Sequence, residues 1–235
     1  MTVVLLHPLP LDGTIWTRCV ADSESDERMI APNLYGMGTS IHAWAEGVLD
    51  LAGPGPLTMI GNSIGGSCAI EVAVLAPDRV ELLVLVGAKA GHRPEPDLCD
   101  EAVRILVDHG LERAWTTYWE PLFAPATNEA VLAEARSIAT SQDVDEVING
   151  VRVFHGRPDR TSFMESLDAR IVVISGEHDA VARHGEAMAA SLRHGSFHVV
   201  EACGHYVPLE QPARLAALVR DAQGSTWNLG RETDA

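Results

Sequence analysis

The stretch Gly61-Asn62-Ser63-Ile64-Gly65-Gly66 constrains this chain more than any other. It follows the apolar run Leu57-Thr58-Met59-Ile60, which reads as a buried strand, and opens a helix-period stretch through Ile70 and Val74. A strand that turns directly into a helix holds the middle residue in an unfavourable backbone conformation and brings neighbouring chain very close. The positions two before and two after must therefore be small, as Gly61 and Gly65 are. This places the Ser63 hydroxyl at a helix N-terminus, exposed at the C-terminal edge of a sheet.

Elsewhere short apolar runs alternate with helix-period stretches, which implies a mostly parallel sheet covered by helices on both faces, an α/β fold. Strands are expected at Thr2–Leu6, Arg28–Ala31, Leu57–Gly61, Glu81–Val86, Arg170–Ser175 and Ser196–Val200, about six in all. Helices are expected between them at Ile41–Leu51, Gly65–Ala76, Ala180–Leu192 and Leu209–Ala222, the last ended by Gly224. From Lys89 to Leu167 strands give way to helices, at Asp97–Asp108, Leu111–Trp119, Asn128–Ser141 and Asp143–His155, with Pro121, Pro125 and Pro158 as breakers. We read residues 1–88 and 168–224 as one core, 89–167 as a lid inserted into it, and 225–235 as a loosely held polar tail. A chain of 235 residues at 46% hydrophobic is long enough for one large core and short for two enzymatic domains.

The charge is −16, with 17 basic residues against 33 acidic, and Lys89 is the single lysine. No basic stripe exists to neutralise phosphates, so nucleic acid is not an expected partner. No run approaches the roughly 20 apolar residues that cross a bilayer, and the N-terminus lacks a basic n-region; a cytoplasmic protein, monomer or homodimer, is expected. Cys19, Cys68, Cys99 and Cys203 form no Cys-x-x-Cys pair and read as reduced, buried thiols. His178, His184, His194 and His198 match no ligand spacing, so no metal is expected.

A serine hydroxyl becomes a nucleophile only beside a base that a third group orients. His205 lies in the loop after the last expected strand, and Asp179 in the loop after the strand before it. Both loops open at the edge that carries Ser63, where parallel sheets place ligands.

These pieces together resemble the α/β-hydrolase superfamily over nearly the whole chain. The matching segments are the Ser63 turn, Ala31-Pro32-Asn33-Leu34-Tyr35-Gly36-Met37-Gly38, Gly176-Glu177-His178-Asp179, and Gly204-His205 with Leu209-Glu210-Gln211-Pro212. The resemblance implies Ser63 as nucleophile, His205 as base and Asp179 as its acid partner, with no cofactor. His7-Pro8-Leu9-Pro10-Leu11-Asp12-Gly13 resembles the family's oxyanion loop, with Pro8 in place of the usual glycine. Neither Pro8 nor Pro10 has an N–H, so Leu9 would supply that loop's donor and Ile64 the turn's. His7 itself reads as a packing residue. The first expected strand begins at Thr2, so the antiparallel hairpin that usually precedes it in the family is not expected here, leaving a sheet of about six strands.

The activity so implied is hydrolysis of a small carboxylic ester or lactone through an acyl-enzyme. The Gly-Asn-Ser-x-Gly-Gly turn also resembles that of carbon–carbon bond hydrolases acting on β-diketone-like acids. Thioester hydrolysis, perhydrolysis and a hydrolase-fold ligand-binding protein complete the alternatives. Asn62, Trp115, Tyr118 and Trp119 are the candidate substrate-binding residues. Lys89, His92 and Arg93 sit where the chain leaves the sheet; one of them could hold a substrate carboxylate, or all could be solvated loop charge.

Overall fold

The computed structural model describes residues 1–20, 27–180 and 182–224. Strands β1 (Thr2–Leu6), β2 (Arg28–Ile30), β3 (Leu57–Asn62), β4 (Val80–Val86), β5 (Arg170–Gly176) and β6 (Gly195–Val200) form one parallel sheet in the order β2-β1-β3-β4-β5-β6. β1 and β3 are buried at every position, because strands covered on both faces need apolar side chains on both. The edge strand β6 is more exposed and correspondingly more polar. The chain runs outward from β1 to β2 and then returns to β3 on the other side of β1. That reversal opens a crevice at the carboxyl ends of β1 and β3, the usual ligand position in such sheets.

Helices α1 (Thr17–Val20), α2 (Ile41–Ala52) and α3 (Ile64–Leu75) belong to the first half of the sheet. Nearly all of α3 is buried, and apolar residues surround it on all sides rather than along one stripe. Between β4 and β5 come α4 (Pro96–Ala114), α5 (Glu129–Thr140), α6 (Val144–Gly156) and α7 (Thr161–Ser166), followed after β5 by α8 (Ala182–Ser191), α9 (Val207–Glu210) and α10 (Pro212–Gly224). Val3, Leu5 and Ile60 face Leu215 and Val219 of α10, whereas Thr2 reaches the other way to the Ala52 carbonyl at the end of α2.

The helix expectations need correction at several points. The stretch Leu209–Ala222 is not one helix: Pro212 forces the residue before it out of the helical region, and Gln211 sits at φ −137°, ψ 55°. The stretch Leu111–Trp119 is the end of α4, which breaks at Gly110 (φ 71°), followed by a π-helical turn over Trp115–Trp119. The short helix α7 was not anticipated. Asn128 and Asp143, expected as first residues, are instead N-caps that accept from Ala130 N and from Asp145 N and Glu146 N. The expected tail at 225–235 lies outside the described residues. Among the described residues no helix is long and apolar enough to cross a membrane.

Candidate active site

Ser63 sits between β3 and α3 at φ 56°, ψ −118°, a region that costs a non-glycine residue about 1–3 kcal/mol. Surrounding contacts impose it. The Ser63 amide donates to the Val86 carbonyl at 2.9 Å, and Ser67 N donates back to the Ser63 carbonyl at 3.1 Å. A Cβ on Gly61 would lie 2.3 Å from the Gly65 carbonyl oxygen, and one on Gly65 would lie 2.3 Å from that of Leu6. Both positions therefore require glycine. Ser63 is the partly exposed residue in a run of buried ones.

The loops after β5 and β6 bring Asp179 and His205 together, with His205 Nδ1 2.9 Å from Asp179 Oδ2. A carboxylate at that distance calls for hydrogen on Nδ1 and leaves Nε2 as an acceptor. Backbone contacts fix this loop. Asn62 Nδ2 donates to the Val86 and His205 carbonyls at 3.0 and 3.1 Å, and His205 N donates to the Leu122 carbonyl at 2.8 Å. The Glu210 carboxylate accepts from Gly204 N, Tyr206 N, Ala124 N and the Thr127 hydroxyl. Asn62 is wholly buried and holds the loop; it does not line the cavity, contrary to expectation.

Ser63, Asp179 and His205 line a single cavity of about 350 Å³, at the small end of the range for ligand sites. Leu9, Leu122, Val151 and Phe154 give it an apolar character, and Tyr118 and Trp119 also line it. Trp115 does not. It packs against Phe123 with ring centroids 5.8 Å apart, buried inside the helical connection. Among the described residues no hydrogen bond engages the Leu9 N–H, and the Tyr206 hydroxyl donates to the Leu9 carbonyl at 3.2 Å. Ile64 is the first residue of α3, so its N–H has no intrahelical partner, while its side chain is buried in the core.

His7 is fully buried and away from the cavity lining. Its Nε2 accepts from Leu34 N at 2.9 Å and its Nδ1 lies 3.1 Å from the Pro8 carbonyl. Burial pulls its pKa from 6.5 to about 4. Lys89 lines the cavity; His92 instead bonds Asp159 and the His155 carbonyl, and Arg93 is exposed on the loop. The cavity also contains Tyr206, His155 and Arg157, none of which was anticipated. No local pattern distinguishes Arg157 from the chain's other arginines.

A second cavity of about 430 Å³ lies between β1 and α10; Cys19 lines it, with burial pushing that thiol up to about 12, far from a reactive thiolate. Among the described residues no three His, Cys, Asp or Glu side chains gather as metal ligands. Cys68 and Cys203 are buried as expected, whereas Cys19 and Cys99 are partly exposed.

A family model described as the alpha/beta hydrolase family matches residues 3–218. The chain is 24% identical to 2-hydroxymuconate semialdehyde hydrolase of Pseudomonas sp. (strain CF600), over 88% of this chain and 80% of that protein. It is 28% identical to lipase LipV of Mycobacterium tuberculosis, over 94% and 93% respectively. A malate-bound thermophilic esterase from Thermogutta terrifontis superposes with a TM-score of 0.84 at 25% identity, covering 95% of this chain and 89% of that one.

Proposed function

The chain belongs to the alpha/beta hydrolase family, and from that premise we propose that it hydrolyses small carboxylic esters, lactones included, through an acyl-enzyme on Ser63. The observation that carries this reading is the meeting of three unlike constraints at one cavity. They are a serine in a strained turn, a histidine whose Nδ1 is held by a buried carboxylate, and an apolar pocket for an acyl chain. Asp179 fixes the tautomer that makes Nε2 the base and stabilises the imidazolium. Ser63 Oγ then forms the bond to the acyl carbon as its proton passes to His205 Nε2. The carbonyl π electrons move onto oxygen, where the Leu9 and Ile64 N–H groups receive the charge. The tetrahedral intermediate expels the alkoxide, which leaves with the proton from His205. Water, giving a proton to the same nitrogen, attacks the acyl carbon; the bond to Ser63 Oγ then breaks, Oγ takes that proton back from His205, and the acid is released. The helices between β4 and β5 act as a lid that shapes the acyl pocket.

Purified protein is assayed against 4-nitrophenyl esters of increasing chain length, and labelled with a fluorophosphonate. Ser63→Ala should abolish labelling and lower kcat by at least about 10⁴-fold while leaving the melting temperature close to the parent's. Substantial turnover by Ser63→Ala would overturn the reading. Cleavage of a carbon–carbon bond in a β-diketone-like acid is the second reading, favoured by the similarity to 2-hydroxymuconate semialdehyde hydrolase. A vinylogous diketone acid consumed faster than any ester would favour it.

A further inference from the structure

Arg157 forms part of the cavity wall and, among the described residues, makes no ion pair. Only 7% of the residue is exposed. One Nη1–H goes to the Phe154 carbonyl, and the guanidinium lies 3.9 Å from the centroid of the Phe154 ring. Neither contact neutralises it. Arg160, just beyond it on the same loop, has the opposite environment: its Nε and Nη2 each reach an oxygen of the buried Glu71 at 2.8 Å. Glu95 tends to raise the Arg157 pKa without forming an ion pair, while burial dominates and lowers it from 12.5 to about 10. The group is a cation at neutral pH, and an unpaired buried cation is expensive to maintain unless something supplies its counter-charge.

The surrounding wall points the same way. Lys89, the chain's single lysine, lines the cavity and, among the described residues, makes no hydrogen bond or ion pair. The hydroxyl of Tyr118 and Nδ1 of His155 belong to cavity-lining residues, and among the described residues both buried atoms have no hydrogen-bond partner. Burial, reinforced by the charge of Arg157, holds the His155 pKa below its usual value. A chain of net charge −16 repels anions at long range. That field is screened within about 8 Å at physiological salt, so inside the cavity the nearest charges decide.

We propose that Arg157 and Lys89 form a carboxylate subsite, so that the substrates are acyl compounds carrying a free carboxylate remote from the scissile carbonyl. The planar fork of Arg157 binds both carboxylate oxygens and Lys89 adds a point charge. The proposal rests on the acyl-hydrolase reading above and narrows its substrate class.

Two substrate pairs test it: 4-nitrophenyl hemisuccinate against its methyl ester, and 4-acetoxybenzoate against its methyl ester. The first places the charge on the acyl side and the second on the leaving group. The readout is the ratio of kcat/KM for the anionic member to that for the neutral one, compared between variant and parent so that intrinsic reactivity cancels. Arg157→Gln should lower that ratio by at least about 30-fold for one pair, Arg157→Lys by less, and Lys89→Gln by a few-fold. Ratios unchanged for both pairs in Arg157→Gln would show that the arginine only packs, and would overturn the proposal. Calorimetric titration of glutarate into Ser63→Ala protein separates this from the ester reading. Glutarate binding that disappears on adding Arg157→Gln supports the subsite even if no ester is hydrolysed, and binding that persists refutes it even if esters are.

Discussion

The loop after β1 and the loop after β6 each carry a buried histidine, His7 at 0% exposure and His205 at 7%, and the two are opposites in what holds them. Both ring nitrogens of His7 face backbone, Nε2 accepting from Leu34 N and Nδ1 donating to the Pro8 carbonyl. His205 has a carboxylate on Nδ1, a cavity beside it, and backbone contacts made by its main chain rather than its ring. Burial alone therefore does not decide what a histidine can do; its ring partners do. Backbone partners lock the His7 ring as a neutral brace between two loops, whereas the carboxylate on one nitrogen of His205 leaves the other nitrogen facing the cavity without a backbone partner among the described residues.

Exchanging the lesions gives the largest contrast. His205→Ala should lower kcat by about 10⁴-fold or more with little change in melting temperature, since the loop is held through its backbone and Glu210. His7→Ala should do the reverse. It leaves the Leu34 N–H buried without an acceptor and opens a void, costing about 3 kcal/mol of stability. Thermal unfolding and steady-state kinetics on both variants check this. A His7→Ala protein that melts like the parent yet loses activity 10³-fold would erase the distinction.

Acid should expose the brace as well. His7 titrates at about 4 in the fold and near 6.5 unfolded. Above pH 6.5 both states are neutral and its contribution is constant. As pH falls from 6.5 towards 4 the unfolded state takes up a proton that the folded state refuses, so stability declines by roughly 3 kcal/mol across that window and levels off below it. Denaturant midpoints measured from pH 7 to pH 4 should follow this course. In His7→Gln, which keeps an acceptor and does not titrate, the His7 share of the decline should vanish. Equal slopes in parent and variant would mean that His7 is not buried as a neutral ring.

The two loops also mark where the sequence could be read and where it could not. That Ser63, Asp179 and His205 meet at one cavity was legible because each lies just beyond the carboxyl end of a strand of the same parallel sheet, where local pattern and global topology agree. The six strands were legible for the same reason. The roles of Asn62 and Trp115 were not. Asn62 next to Ser63 suggests a pocket residue, but it points to the His205 carbonyl, a contact 143 positions away. Trp115, Tyr118 and Trp119 share a face only on an α-helix; the π turn alters the angular spacing and sends Trp115 into the packing with Phe123. Arg157 was invisible because what marks it is burial with no ion pair among the described residues, which only tertiary structure reveals.

The smallest expected effect concerns the contact that joins the two loops. The Tyr206 hydroxyl, fully buried next to His205, donates to the Leu9 carbonyl at 3.2 Å. Leu9 is held between two prolines, and its carbonyl and N–H belong to one short stretch of backbone, so this bond helps aim the N–H that we assign to the oxyanion. Tyr206→Phe keeps the ring, including its packing on Phe123 with centroids 4.5 Å apart, and removes only the hydroxyl. The loss should be about 1 kcal/mol of stability, the usual net worth of one neutral hydrogen bond. Kinetics separate aiming from mere support. If the hydroxyl aims the Leu9 N–H, kcat falls several-fold while KM stays near the parent value, because an oxyanion contact forms only as charge develops. A Tyr206→Phe enzyme with the parent kcat and only a lowered melting temperature would leave the two loops joined in stability and independent in catalysis.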